Sequence, residues 1–365
     1  MIFGKKEYVS SSSLSSLAWK RFRQNPLGIG SLIFICTVLL IAVFGYLITP
    51  DPTPFANDQH LELGLKKPGY KATFIQLPRE PMPEQHSFIR NLFMGRDLPC
   101  QSYPFIDGEA DLPTGSGQSV RMTQEEARSV FPAARFTERT YYLGTDRFGR
   151  DVLSQLIIGS RVSLAVGFIS VLISLAIGIF AGALGGFYRG RTDDVVMWVI
   201  NVIWSVPTLL LVIAITFALG KGFWQVFIAV GLTMWVEVAR VVRGQILGIR
   251  EKEFVEAGRA LGFSDFRIIF HHILPNVMGI VIVISAANFA SAILLEAGLS
   301  FLGMGVQPPV PSWGSMIKEN YQYIVLDYAY LAILPGIAIM LLVLAFMLMG
   351  NALRDALDVR TTSSF

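Results

Sequence analysis

Long apolar runs alternate with shorter polar segments along most of the chain, and the longest runs contain almost no charge. A helix needs about 20 apolar residues to cross the hydrocarbon core of a bilayer. Six runs reach or approach that length, and Glu237 is the only charged residue in any of them. The pattern therefore predicts six membrane-spanning helices: Gly28–Thr49, Ser163–Tyr188, Val195–Gly220, Gly222–Ala239, Asn276–Leu295 and Tyr328–Leu353.

Lysine and arginine are unevenly distributed over the short loops between these spans. Lys5, Lys6, Lys20, Arg21 and Arg23 precede the first span, and the loop between spans four and five is also rich in cations. Short loops with excess positive charge stay in the cytoplasm. Both termini are therefore predicted to be cytoplasmic. Residues 50–162 are then predicted to lie outside. Their cations do not contradict this, because long loops translocate largely regardless of charge.

The segment 50–140 differs from everything around it. It is rich in proline and in charges of both signs, with loop-like sequence at 81–83 and 115–117. Such a length predicts some local order, and Thr123–Val130 has the sequence of a short capped helix. Its histidines, His60 and His86, lack metal-ligand spacing. We expect an extracytoplasmic insertion with a structural or docking role, the alternative being the active domain of a membrane-bound enzyme.

Residues 1–27 carry a second pattern. Serines at 10–13 can cap a helix that has apolar residues on one side and cations on the other. Trp19 and cations beside a span favour a helix lying in the cytoplasmic interface, and the alternative is a solvated tail. The apolar side consists of Leu14, Leu17, Ala18, Trp19 and Phe22, and the cationic side of Lys20, Arg21 and Arg23.

Composition agrees with a membrane protein and narrows the function. Of 365 residues, 53% are hydrophobic and 16% charged, below the roughly 25% charged residues of soluble domains. The net charge of +3 and the lack of a Lys/Arg-rich run argue against nucleic acid as a partner. No phosphate-binding or hydrolase motif is present. Glu237 and Glu296 lie near the ends of their spans, which disfavours a secondary transporter acting alone because that function needs ionisable groups inside the membrane.

The predicted cytoplasmic loop 250–276 is the most informative segment. Phe254, Ala257 and Leu261 form one apolar stripe of a short helix that ends at Gly262. Ser264 can cap a second helix, and Pro275 is predicted to open span five. An amphipathic helix at such a place suits a groove on a partner. It could also pack on this chain's own helices.

Here the loop resembles the EAA loop of bacterial ABC-transporter permeases. Glu256-Ala257, Gly262 and Leu274-Pro275 match that pattern, and two positions depart from it: Gly258 replaces the third alanine and His272 replaces an isoleucine. The form around His272 is similar to the dipeptide/oligopeptide branch (DppC/OppC type). Three further segments resemble that branch in the same order, namely 19–27, 143–164 and 299–303.

The resemblance implies an all-α polytopic membrane protein with six transmembrane helices and a large extracytoplasmic insertion between the first two. Its parts would be an N-terminal interfacial helix (1–27), helix 1 (28–49), the insertion (50–140), a permease core (141–358) and a cytoplasmic tail (359–365). It also implies no enzyme activity in this chain. Glu256, Ala257, Gly258 and Gly262 would form the turn that docks an ATPase, and Leu274 and Pro275 would restart the membrane helix.

The implied partners are a second homologous permease, two cytoplasmic ABC ATPases that bind ATP and Mg, an extracytoplasmic substrate-binding protein and the lipid bilayer. No cofactor or metal is expected on this chain itself, and the implied location is the bacterial inner membrane. Di- and oligopeptides are the expected substrates. Relatives of the branch carry nickel, opines or peptide antibiotics, which stay open as alternatives.

Overall fold

The computed structural model describes residues 14–78, 91–92, 95–96, 100–113, 119–220 and 222–357. The predicted tail 359–365, the loops at 81–83 and 115–117, and the first 13 residues with Lys5 and Lys6 lie outside the described residues. Eleven helices are described: α1 Leu14–Gln24, α2 Pro26–Ile48, α3 Gln124–Val130, α4 Val152–Tyr188, α5 Gly190–Trp204, α6 Thr208–Leu219, α7 Phe223–Ile249, α8 Glu253–Ala260, α9 Asp265–Phe301, α10 Trp313–Asn320 and α11 Tyr330–Leu357.

Five of these helices are long and apolar enough to cross a membrane: α2, α4, α7, α9 and α11. The predicted third span is instead two helices, α5 and α6, which meet at 93°. Pro207 stands at the break with φ −54° and ψ 128°. Proline cannot donate the hydrogen bond that a continuous helix needs there. The described residues therefore contain five spans, or six if this bent pair crosses the membrane as one.

Two spans begin much earlier than their apolar runs. Helix α4 starts at Val152, because Asp151 caps it by accepting from Ser154 N at 2.8 Å. Arg161 lies within the helix, where its Nε donates to Ala42 O at 2.5 Å and its Nη2 to Val43 O at 3.0 Å. Those carbonyls belong to the last turns of α2. An arginine inside the bundle thus binds a neighbouring helix, and it does not mark the end of its own.

Leu274 and Pro275 open the regular α-helical part of α9, as predicted, but the helical turns at 265–273 lead into it without a break, so that α9 as a whole begins at Asp265. Residues Ile268–Ile273 form a π-helical segment, in which Leu274 N donates to Ile269 O. Proline clashes with the carbonyl four residues before it in a regular α-helix. The wider π turn just before Pro275 lets the helix continue through it.

The segment between α2 and α4 contains strands, so the all-α prediction applies to the bundle but not to this part. Strands β1 Tyr70–Pro78, β2 Cys100–Pro104 and β5 Arg135–Tyr141 form an antiparallel sheet in the order β2-β1-β5. A hairpin of β3 Glu109–Pro113 and β4 Ser119–Thr123 lies beside it. The helix predicted at Thr123–Val130 is confirmed as α3, with a capping box between Thr123 and Glu126.

This strand segment has small cores of its own. Ile75, Leu112 and Ala127 are fully buried in one of them and Leu63 and Phe74 in another. An apolar core of this kind gives the segment a fixed shape, which confirms the expected local order.

A buried ionic network attaches the strand segment to the bundle. Arg150, which precedes α4, donates to Asp146 at 2.7 Å and to Glu319 of α10 at 2.6 Å. Trp313 Nε1, at the start of α10, donates to Leu156 O at 2.9 Å. Helix α10 is thereby fixed between the strand segment, α4 and α9.

Glycines set the closest helix contact of the bundle, between α4 and α7. A Cβ atom on Gly178 would lie 2.5 Å from Val238 Cβ, and one on Gly182 would lie 2.5 Å from Ala239 O. Small residues let membrane helices approach closely. These glycines therefore serve packing, as their place in an apolar run suggests.

Candidate functional site

The loop 250–276 lies at the end of the bundle that carries both termini of the described chain. Gly28, near the start of α2, contacts Ala352 of α11, and Gly279 of α9 contacts Leu357. We call this the terminal end, and the opposite end, which carries the sheet, the strand end. The loop and the strand segment thus occupy opposite ends of the molecule.

Two residues anchor α8 to the terminal end. Val255 is fully buried in a cluster that includes Ile246 of α7 and Ile268 of the π segment. Gly258 is also buried, and a Cβ there would be 3.5 Å from the ring of Phe263. Arg250 donates to Phe187 O and so ties the base of the loop to α4. These contacts hold α8 against α7, the π segment and the end of α4.

The predicted apolar stripe of α8 faces away from the chain. Phe254 is 42% exposed and Leu261 is 72% exposed, and Ala257 between them is exposed as well. We call Phe254, Ala257 and Leu261 the apolar stripe. Within the described residues this chain's own helices therefore cover the stripe only in part, and a partner surface would be needed to bury the rest.

The turn after α8 depends on Gly262. Phe263 N donates to Gly258 O at 3.0 Å and Gly262 N to Arg259 O at 2.9 Å, the two bonds of a Schellman motif. That motif requires a left-handed residue, and Gly262 has φ +75°. The predicted end of the helix is therefore a defined turn, and it fixes the direction in which Leu261 projects.

Charged side chains surround the stripe. Glu253 and Glu256 lie in the first turn of α8, where acidic residues stabilise a helix. Glu256 is exposed and makes no salt bridge within the described part of the chain. Arg259, near the other end of α8, lies 5.3 Å from the centre of the Phe187 ring. Glu256 is thus available to a basic partner group.

The remaining predicted residues lie on α9 beyond the π segment. Leu274 lines an apolar cleft with Phe180 and Phe270, and Pro275 is exposed. His272 stacks on Phe263 with 5.6 Å between ring centres. The structure thus brings Gly258, Gly262, Phe263 and His272 together, and the π segment separates Leu274 and Pro275 from α8 along the helix.

Sequence reasoning missed an ion pair that holds α5 at the terminal end. Arg243 of α7 binds both carboxylate oxygens of Asp193, with 2.6 Å between Nη2 and Oδ2. Arg240 lies over the ring of Trp204 at 3.4 Å. The only signal in the sequence is a pair of charged residues beside apolar runs, which does not identify a partner.

Glu296, expected near the outer end of its span, lies at the strand end and is fully buried. Its Oε1 accepts from Ser300 Oγ at 2.7 Å and its Oε2 from Ser163 Oγ at 3.5 Å. In the part of the chain that the structure describes, no group of three His, Cys, Asp or Glu side chains could hold a metal ion. Hydroxyl groups of this chain thus bind Glu296, whereas the apolar stripe at the terminal end is exposed.

Two regions of this chain match known protein families. Residues 174–363 match the family described as binding-protein-dependent transport system inner membrane component. Residues 13–68 match the N-terminal TM domain of oligopeptide transport permease C. Most of the strand segment lies between the two matched regions.

Two relatives and one solved structure illustrate the similarity. The dipeptide transport system permease protein DppC of Alkalihalophilus pseudofirmus is 39% identical over 318 residues, 87% of this chain and 97% of the relative. The glutathione transport system permease protein GsiD of Pectobacterium atrosepticum is 39% identical over 241 residues, 65% of this chain and 80% of the relative. A chain of the inward-facing MetNI methionine ABC transporter is 20% identical with a TM-score of 0.47, over 55% of this chain and 96% of that one.

Proposed function

Because the chain belongs to the family of binding-protein-dependent transport system inner membrane components, we propose that it is the permease subunit of an ATP-driven ABC importer of peptides. The observation that carries this proposal is the apolar stripe on α8, exposed on a helix whose other face is anchored by Val255. A rigid amphipathic helix of this kind fits a groove on a partner protein. We take that partner to be a cytoplasmic ATPase.

The coupling residues in this proposal are those of α8 and its turn. Phe254 and Leu261 supply the apolar area, Ala257 leaves room for close approach, and Glu256 faces basic groups on the ATPase. Gly258 lets α8 lie against Phe263, and Gly262 sets the turn. Leu274 and Pro275 carry the motion into the membrane, since α9 runs unbroken from Asp265 to Phe301.

ATP binding would then move the spans as connected bodies. Movement of α8 is passed to α7 and to the π segment through the shared cluster around Val255 and Ile268. ATP and Mg stay on the ATPase chains, and this chain contributes no catalytic group. A second, homologous permease would complete the pathway, and an extracytoplasmic binding protein would deliver the substrate.

The proposed topology places the terminal end in the cytoplasm and the strand end outside. It follows from the excess of cations in the short loops at the terminal end. Helix α1 fits an interfacial position there, because Trp19 is 54% exposed beside Lys20 and Arg23 while Phe22 is buried. The strand segment is then the surface that meets the binding protein. Peptides are the proposed cargo because the relatives are named for dipeptides, oligopeptides and glutathione.

Purification in mild detergent followed by mass spectrometry tests the proposal. The wild-type chain should recover a second permease and two ATPase chains. Glu256→Lys should lose the ATPases but stay inserted in the membrane, because an exposed charge reversal alters docking and not the core. Glu125→Lys is the matched control, an exposed acid in the first turn of α3 at the other end, and should recover them all. Full ATPase recovery with Glu256→Lys would refute the docking role.

A further inference from the structure

The strand end contains an acidic cavity that the proposed transport function does not use. It measures about 310 Å³ and lies between the loop after α2, strand β5 and the start of α4. Four carboxylates and one cation line it, namely Asp51, Asp58, Glu138, Asp151 and Arg139. The lining therefore has a marked excess of negative charge.

Two of the four carboxylates already have cationic partners. Asp58 Oδ2 accepts from Arg139 Nη1 at 2.6 Å, and its Oδ1 lies 3.2 Å from His60 Nε2. Glu138 pairs with Lys71 at 3.2 Å, and both of these side chains are largely exposed. The local cations are thus used by Asp58 and Glu138.

Asp51 and Asp151 have no cationic partner within the described residues. They are nonetheless only 5% and 4% exposed. Burial of an unpaired carboxylate is costly, so proteins pair such groups or neutralise them. Burial raises the pKa of both side chains, and the charge of Asp58 at Asp51 and of Asp51 at Asp151 raises them further.

One oxygen of this pair also has no hydrogen-bond partner. Asp51 accepts from Thr53 N at 2.9 Å and from Asp58 N at 3.2 Å. Asp151 Oδ2 accepts from the backbone and hydroxyl of Ser154. Asp151 Oδ1 is buried and unpartnered among the described atoms. A buried acceptor of this kind calls for an N–H or O–H donor, and Asp151 is one of the residues that line the cavity.

The chemistry of the lining selects the ligand. Within the described ranges, no three His, Cys, Asp or Glu side chains are arranged to hold a metal ion. An ammonium group carries one positive charge and three N–H donors, so it can balance the excess charge and also satisfy Asp151 Oδ1. A charge-assisted hydrogen bond to a carboxylate is among the stronger kinds.

We propose that this cavity binds a primary ammonium group, with Asp51 and Asp151 as its carboxylate acceptors. The group can come from two sources: the free N-terminus of a peptide, or a lysine side chain on an extracytoplasmic partner protein. The proposal does not depend on ATPase docking, because the cavity and the apolar stripe lie at opposite ends of the molecule.

Calorimetric titration of the full chain in lipid nanodiscs tests the site directly. Butylammonium chloride is the probe, and tetramethylammonium chloride is the control of equal charge that lacks N–H donors. Saturable binding of butylammonium alone is expected. Absence of saturable binding, or equal binding of both cations, would overturn the proposal.

Two neutral variants locate the site. Asp151→Asn keeps the N-cap of α4, since asparagine caps a helix as well as aspartate does, and Asp51→Asn provides an independent test if the first variant unfolds. Each should weaken butylammonium binding by about tenfold or more. Glu109→Gln, which removes a paired and exposed carboxylate of β3 outside this lining, should leave it unchanged. Wild-type affinity in both aspartate variants would contradict the assignment.

Dialanine and N-acetyl-dialanine then separate the two sources. Binding of dialanine that is lost on acetylation identifies the N-terminus of a peptide as the source. Binding of butylammonium but of neither dipeptide identifies a lysine side chain of a partner. Both results support an ammonium site, whereas equal binding of the two dipeptides would contradict it.

Discussion

Replacement of Leu261 by serine isolates the contribution of the apolar stripe. The side chain is 72% exposed at the end of α8, so the substitution changes little inside this chain. Full burial of a leucine stabilises by about 1.5–3 kcal/mol. Burial of the exposed part of Leu261 on docking would therefore contribute roughly 1–2 kcal/mol to the binding free energy. Loss of that amount weakens ATPase binding by roughly 5- to 30-fold.

The assay is a titration of the ATPase subunit onto the permease in nanodiscs, with the thermal unfolding midpoint of each variant measured alongside. Leu261→Ser should weaken binding with an unchanged midpoint. Leu302→Ser is the matched control, because Leu302 is 54% exposed at the strand end, and it should bind as the wild type does. Val255→Ala should instead lower the midpoint, since it removes about 2 kcal/mol from a buried cluster.

Two results would refute this reasoning. Wild-type ATPase affinity in Leu261→Ser would mean that the stripe is not buried on docking. A midpoint lowered as much as in Val255→Ala would mean that Leu261 packs on its own chain.

Three further predictions concern the turn, the ionic network and the acidic pair. Gly262→Ala should lower the free energy of unfolding by about 1 kcal/mol and speed hydrogen exchange in α8, because φ is +75° at this position. Gly248→Ala, inside α7, is the control and should leave the free energy of unfolding unchanged or raise it. Arg150→Met should lower unfolding stability by about 3–5 kcal/mol, because it leaves Asp146 and Glu319 unpaired, and Lys71→Met in an exposed pair should change it by less than about 1 kcal/mol. The pKa of Asp51 is raised above 3.8 in the folded state, so the contribution of Asp51 to folding stability is present at low pH and is lost as pH rises through the raised value. The thermal unfolding midpoint of Asp51→Asn should therefore fall less with rising pH than that of the wild type. An identical pH dependence in the two proteins would contradict the shift.

Hydropathy located the spans because a bilayer imposes a length and a composition on each of them. Hydropathy failed to give the helix boundaries where contacts between distant residues determine them. Hydropathy places the start of the second span after Arg161 because this residue is charged, whereas carbonyls of α2 accept its guanidinium within the bundle. The bend at Pro207 separates two helices that hydropathy alone joins into one run.

The strands of the strand segment were not predicted because most of them have only five residues, too few for a decisive pattern. Strand β2 has five residues and ends in proline, as does β3. The pairing of β1 with β5 also joins residues far apart in the chain, which no local pattern reveals.

For the candidate site, the sequence predicted the short helix, its apolar stripe and the stop at Gly262, since each depends on local spacing. It could not decide whether the stripe faces a partner or this chain. That depends on Val255 and Gly258, whose burial against α7 and the π segment turns the opposite face outward. Asp51 and Asp151 are likewise brought together only by the fold.

The docking of α8 on an ATPase is tested most directly by a photo-crosslinking amino acid placed at Ala257 in cells that produce the whole transporter. Ala257 lies in the middle of the apolar stripe and is exposed, so the probe should form an adduct with the ATPase chain. The same probe at Val120, which is 43% exposed at the strand end, should not. Adducts from Ala257 only within this chain, with none to an ATPase, would contradict the proposed coupling.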